Sequence, residues 1–123
     1  MLPNEKFHAL IVDKSLVNLD VLNDLIVLGQ TMAGSWVIYK ILVTESDLTA
    51  TIKKIQSQML DGNWYLHFYN FDGSKLVVVF KNKFFTASNN PTTWSEILEY
   101  GKEVGTPAEQ LDFIPNRFED EDF

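Results

Sequence analysis

The sequence has no cysteine and little positive charge, and each shortage excludes a class of function. Without cysteine there can be no disulfide framework, no thiolate nucleophile and no cysteine-ligated metal. The 123 residues include 10 Lys and Arg against 17 Asp and Glu, which gives a formal net charge of −7. Phosphate neutralisation requires a basic footprint, so nucleic acid is not expected as a partner.

The chain also lacks long apolar runs and the common cofactor motifs. Its longest apolar stretches, such as LIVL and LVVVF, fall far short of the ~20 residues that a membrane helix needs. No signal-peptide pattern is visible, and we therefore expect a cytoplasmic protein without a membrane partner. The phosphate-loop, dinucleotide-binding and nucleophile-elbow motifs are absent from the sequence, so no cofactor is expected.

Length and composition indicate one globular unit. Hydrophobic residues make up 46% and charged residues 22%, which is ordinary globular usage. We expect a single α+β domain over residues 1–115. The remaining stretch 116–123, NRFEDEDF, contains four consecutive acidic residues and predicts a disordered, solubilising tail. An acidic peptide for a basic partner is the alternative reading of this tail.

Hydrophobic periodicity predicts an alternation of strands and helices. Strands are expected over 7–14 and 35–44, because both segments are short and apolar. A helix follows Thr44, where TESDLTATIKKIQSQMLDG places apolar residues at helical spacing. Another follows NPTTW, and TPAEQL predicts a short last helix. Residues 16–34 allow two readings: a helix over 17–24 followed by a strand, which we prefer, or one helix over 18–29.

These elements favour a ferredoxin-like βαββαβ variant with an extra hairpin strand and C-terminal helices. If 18–29 were one helix, the order would become βαβαββα in a mixed sheet. Ferredoxin-like sheets support many functions, so the fold alone assigns none.

The hairpin over 64–81 holds the candidate site. Strand alternation puts Tyr65, His67 and Tyr69 on one side, and the turn length decides which residues of the partner strand join them. A three-residue loop, Phe71-Asp72-Gly73, gives one wholly apolar side with Leu66 opposite Val78. Gly73 then occupies the left-handed bulge position. We expect this register rather than that of a two-residue loop.

In that register His67 lies in a half-polar row between two tyrosines. The partner-strand residues on this side are Lys75 and Lys81, and Lys40 joins them if its strand shares the sheet. The binding candidates are therefore Tyr65, His67, Tyr69, Lys40 and Lys81. The third helix, through Trp94, Ile97 and Leu98, could instead cover this side.

A metal site is not expected. It would need His67 and His8 to converge with a carboxylate such as Asp13. His8 and Asp13 fall on opposite sides of their predicted strand, so at most one of them could join His67.

The pattern WYLHFYN…KLVVVFKNKFF, together with EYGKEVGTPAEQLDF, resembles small uncharacterised prokaryotic proteins of similar length. The resemblance would span most of the chain. It implies no activity, substrate or catalytic residue.

The expected function is a non-enzymatic cytosolic binding or assembly module. It would form a homodimer or bind a partner through the Tyr65, His67 and Tyr69 side of its sheet. The alternative is a small-molecule sensor or enzyme that uses His67 as acid, base or ligand contact, with Lys40 or Lys81 as an anion partner.

Overall fold

The computed structural model describes residues 5–61, 64–106, 117–118 and 121. Its two α-helices are α1 (Glu45–Gln58) and α2 (Ser95–Glu103). The strands form one antiparallel sheet in the order β2-β3-β1-β4-β5-β6. Their bounds are β1 Lys6–Val12, β2 Ile26–Ala33, β3 Trp36–Thr44, β4 Tyr65–Asn70, β5 Lys75–Phe80 and β6 Phe84–Ser88. The predicted α+β class is confirmed.

The segment between β1 and β3 contains the strand of the preferred prediction, but its helical part is a 3₁₀ segment shorter than the predicted 17–24. A 3₁₀ turn at Asp20–Asp24 is followed by β2, which pairs with β3 from Ala33 opposite Trp36 onward. Gly34 has φ +63° in the two-residue connection, a conformation that glycine adopts at little cost. A single helix over 18–29 is therefore wrong.

Toward the C-terminus, one element was not predicted from the sequence and one predicted element lies outside the described residues. Residues 84–88 form β6, a strand that the sequence did not predict. The helix predicted at TPAEQL begins within 107–116, outside the described residues. Among the residues that are described, neither helix has the length and hydrophobicity to cross a membrane.

The predicted register of the β4–β5 hairpin is wrong. Leu66 lies opposite Val79 and His67 opposite Val78, one residue away from the expected pairing. Four residues, 71–74, separate the strands. The Asn70 side-chain oxygen accepts the Lys75 N–H at 3.0 Å, and the Asn70 carbonyl accepts the Gly73 N–H at 3.1 Å. Gly73 does adopt the predicted positive φ, +75°.

The observed register is tolerated because helices cover both faces of the sheet. Helix α1 packs over the α1 face, where Phe68 and Val77 meet Ile52 and Ile55 in one buried cluster. Helix α2 packs over the α2 face, where Val78 and other β5 residues form a second cluster around Ile97. A wholly apolar side opposite a half-polar side is therefore not required, and that assumption misled the register prediction.

Candidate functional site

Lys81 and Lys75 do not lie with His67, which corrects the sequence prediction. Strand alternation puts both lysines on the α1 face, since the intervening Val77 and Val79 belong to the α1 cluster. The Lys81 Nζ donates to the Met59 carbonyl at 2.6 Å, just beyond the last residue of α1. The Lys75 Nζ lies 2.6 Å from a carboxylate oxygen of Glu5. Both lysines have structural roles at the margin of the sheet.

Tyr65 and His67 lie on the α2 face, but among apolar neighbours. Tyr65 is opposite Phe80, and its ring packs at 5.7 Å between centroids against that phenylalanine. His67 is half-buried opposite Val78, with its ring centroid 6.0 Å from that of Tyr69. The half-polar row predicted from the sequence is therefore largely covered at Tyr65, which shares a cluster with Trp94, Ile97 and Leu98.

A polar cluster forms farther along the same face, where β3, β1 and β4 are neighbours. His8 of β1 lies directly opposite Tyr69 of β4. Lys40 of β3 lies opposite Leu10, two residues from His8 on the same face. Tyr69 is 1% exposed, and His8 and Lys40 are each 8% exposed. Antiparallel pairing thus brings together three buried polar side chains from three strands that are neighbours in the sheet.

The carboxylate of Glu121 is the common partner of these three groups. One oxygen, Oε2, lies 2.6 Å from His8 Nδ1 and 2.5 Å from the Tyr69 hydroxyl, which donates to it. The other, Oε1, accepts from the Lys40 Nζ at 3.2 Å. We call His8, Lys40 and Tyr69 the carboxylate cluster.

An aromatic contact accompanies the carboxylate. The Phe118 ring stacks on the His8 imidazole with 3.6 Å between centroids and 4° between planes. It also meets Tyr69 and Phe71 edge to face at 6.1 and 5.7 Å. The Phe118 N–H donates to the Phe71 carbonyl at 3.1 Å. Phe118 and Glu121 belong to the stretch that the sequence predicts to be disordered, yet both contact the sheet.

The electrostatics of the cluster favour an ionised Glu121. Burial has the largest single effect and raises its pKa, because the carboxylate side chain is only 10% exposed. Hydrogen bonds from Tyr69, His8 and Lys40 act in the opposite direction and together outweigh burial. The pKa of Glu121 is therefore lowered from its ordinary value.

Chemically, this arrangement is a receptor for one carboxylate beside one aromatic ring. Three donors from a rigid sheet converge on two oxygens, which fixes the position and orientation of the anion. The stacked imidazole supplies a flat surface for the ring. Among the described residues, no group of three His, Asp or Glu side chains is arranged to hold a metal ion. The Asp13 carboxylate accepts the Val37 N–H at 3.1 Å.

Sequence reasoning considered Lys40 and Tyr69 but missed their partners. His8 entered only as a metal-ligand candidate, although its position between Phe7 and Ala9 puts a polar side chain on the face opposite the α1 core. Glu121 was hidden among four consecutive acidic residues. The available signal was Phe118, a large aromatic residue three positions earlier and one of two phenylalanines in a tail that is otherwise polar.

Comparison of the chain with protein-family models, curated proteins and solved structures found no match. The resemblance to small prokaryotic proteins stays a prediction. The case for function therefore depends on the geometry of the site.

Proposed function

We propose that this protein is a non-enzymatic, cytosolic binding module that recognises an aromatic–acidic peptide segment. The ligand has the pattern of this chain's own Phe118 and Glu121, an aromatic residue followed three positions later by a carboxylate. The carboxylate cluster receives the acidic group, and the face of His8 receives the ring.

The convergence of three buried donors on the Glu121 carboxylate is the observation that carries this proposal. With Glu121 in contact, Lys40 is only 8% exposed, and a cation buried to that extent is costly unless it is paired with an anion. The strands fix all three donors before the ligand arrives, which lowers the entropic cost of binding. The tail then acts as a tethered ligand whose effective concentration is on the order of millimolar.

We also propose that the first four strands are a ferredoxin-like βαββαβ variant. Their sheet order, β2-β3-β1-β4, supports this assignment. The 3₁₀ turn at Asp20–Asp24 takes the position of the first helix, and its Val21 joins the α1 cluster. The pair β5–β6 extends the sheet beyond β4.

Peptide binding in trans tests the functional proposal. The receptor is the full chain carrying Glu121→Gln, which weakens its own tail contact. The probe is a fluorescently labelled peptide with the sequence of residues 116–123, and fluorescence anisotropy reports the dissociation constant. A second peptide, with Gln in place of the Glu121 equivalent, is matched in length and ring content.

We expect the natural peptide to bind roughly 30-fold more tightly than the Gln peptide, which corresponds to about 2 kcal/mol for the hydrogen bonds that the carboxylate makes and the amide loses. Adding Lys40→Met to the receptor should abolish this preference. The wild-type chain should bind the peptide more weakly than the Glu121→Gln receptor, because its own tail competes. Equal binding of the two peptides would contradict the proposal.

A small-molecule enzyme or sensor centred on His67 receives less support from the geometry. One suggested anion partner, Lys81, is bound to the Met59 carbonyl on the other face. The other, Lys40, is paired with Glu121.

A further inference from the structure

Strand β2 is an end strand of the sheet as far as the described residues show, and several of its side chains are exposed. The sheet order places β3 on one side of β2, and no other strand within the described ranges pairs with it. An edge strand presents a row of backbone N–H and C=O groups that can pair with another chain. Proteins usually protect such an edge with charged side chains, proline, β-bulges or a covering segment.

The β2 edge has almost none of this protection. Residues 25–39, which span β2, the turn and the first part of β3, include no charged residue and no proline. A β-bulge lies between Val27 and Gly29 and leaves the regular stretch 29–33 beyond it. Five large apolar side chains at this edge are substantially exposed: Ile26 58%, Val27 40%, Leu28 46%, Met32 65% and Trp36 42%.

The opposite end of the sheet is built differently. At β6, the Ser88 carbonyl accepts the Trp94 indole N–H at 2.8 Å, and the Ser88 N–H donates to the Thr93 hydroxyl at 3.2 Å. The loop before α2 therefore covers the end of β6. Lys81 and Lys83 also lie immediately before this strand. Within the described residues, one edge of the sheet is thus covered at its end, whereas β2 has no comparable contact.

We propose that β2 is the interface of a homodimer, in which the β2 strands of two copies pair antiparallel across a twofold axis. A strand that pairs antiparallel with its own copy forms a closed, self-complementary contact, whereas a different partner surface would need a second matching edge. The segment carries no charge, so two copies can approach without like-charge repulsion. The regular stretch 29–33 has the usual length of a paired strand.

The exposed area at β2 is consistent with a second copy of this chain as the partner. A standard interface buries about 800 Å² per partner, and five apolar side chains that are each at least 40% exposed would contribute part of it together with the strand backbone. The sequence predicts self-association through the sheet face. Helix α2 packs against that face, and Phe118 and Glu121 both contact His8 on it. The open edge is the better surface, and this inference does not depend on the carboxylate cluster.

Sedimentation equilibrium of the full chain tests the proposal. The wild type should move from the 14.1 kDa monomer mass toward twice that value as concentration rises from about 1 μM to about 500 μM. The variant combining Leu28→Lys and Met32→Lys places charges on two exposed edge residues. It should remain monomeric over the same range, with unchanged far-UV circular dichroism. The matched control is Thr86→Lys on β6, also an exposed strand position, which should dimerise like the wild type.

Hydrogen exchange keeps the test decisive if the double variant folds poorly. In the wild type, amides within residues 29–33 should exchange at least tenfold more slowly at high than at low protein concentration, and β6 amides should not change. A wild-type chain that stays monomeric at about 500 μM would overturn the proposal. Dimerisation that survives the two edge lysines in a folded variant would also overturn it.

Discussion

Replacing Glu121 with glutamine tests the central contact of the structure with the smallest change of shape. The substitution keeps the side-chain length and one carbonyl oxygen but removes the negative charge. It leaves Lys40 as a cation that is only 8% exposed, without the carboxylate that it contacts at 3.2 Å. It also replaces one acceptor oxygen with an NH₂ group, which accepts no hydrogen bond and must face either Lys40 or the pair His8 and Tyr69.

The expected loss follows from the three hydrogen bonds. A hydrogen bond to a charged group contributes about 1.5–3 kcal/mol, but glutamine retains part of the network and solvent can reach Lys40 once the tail leaves. We therefore expect the free energy of tail docking to weaken by about 2 kcal/mol, roughly a 30-fold change in the docked-to-undocked ratio. In urea, a slope of about 2 kcal/mol/M converts this loss into a midpoint shift of about 1 M.

Two assays distinguish tail release from general destabilisation. Phe118 stacks on His8 at 3.6 Å, so its ring current should shift the His8 imidazole resonances upfield in the wild type. In Glu121→Gln these resonances should move toward the values of an unstacked histidine. The control is Asp122→Asn, which removes one charge from the same tail, and it should leave both measurements unchanged. The reasoning is refuted if Glu121→Gln changes neither the His8 resonances nor the urea midpoint.

Four further outcomes are expected. The His8 resonances should report complete tail docking above pH 4.5, the ordinary pKa of Glu121. Because docking lowers the pKa of Glu121, docking should be lost as the pH falls through that lowered value. Docking that strengthens on acidification would contradict this. Ile97→Ala should lower the free energy of unfolding, measured in urea, by about 2–5 kcal/mol because it opens a cavity in the α2 cluster. The control Glu96→Ala, on the exposed side of α2, should lower it by well under about 1 kcal/mol. Gly73→Ala should cost about 1 kcal/mol or more in the same assay because alanine resists φ +75°. Lys81→Met should lower the free energy of unfolding by about 1 kcal/mol because it removes the hydrogen bond to the Met59 carbonyl. It should not change the peptide affinity, and a large change would indicate that Lys81 does contribute to the binding site.

The local elements of this fold were predictable from the sequence where one periodicity dominates. Ile41 and Val43 are buried on the α1 face, as the alternation in β3 predicts, and Ile97 lies on the inward side of α2. The segment 26–33 was predicted as a strand through its β-branched residues and the Ala33-Gly34-Ser35 turn. These predictions succeed because each depends on residues that are close in the sequence.

The hairpin register failed because it depends on interactions that sequence alternation does not encode. The pattern in 64–81 was read as one apolar side and one half-polar side, which favours a three-residue loop. Asn70 changes the outcome, since its side chain accepts the Lys75 N–H and helps to stabilise a longer turn. The cost of the mixed face is removed by α2, which packs on Leu76, Val78 and Phe80 from a position more than ten residues further along the chain.

The carboxylate cluster illustrates the same limit at the level of function. His8, Lys40 and Tyr69 are separated by about thirty residues at each step, and only the order β3-β1-β4 brings them together. Their partner, Glu121, comes from a tail whose composition favours solvation. A tail of that composition stays on the sheet only when specific contacts offset the entropy lost on ordering it. The three donors provide those contacts, and the Glu121 carboxylate in turn pairs the donors. The proposed receptor would therefore be selective for a carboxylate, and its own tail would set the affinity that any competing acidic segment must exceed.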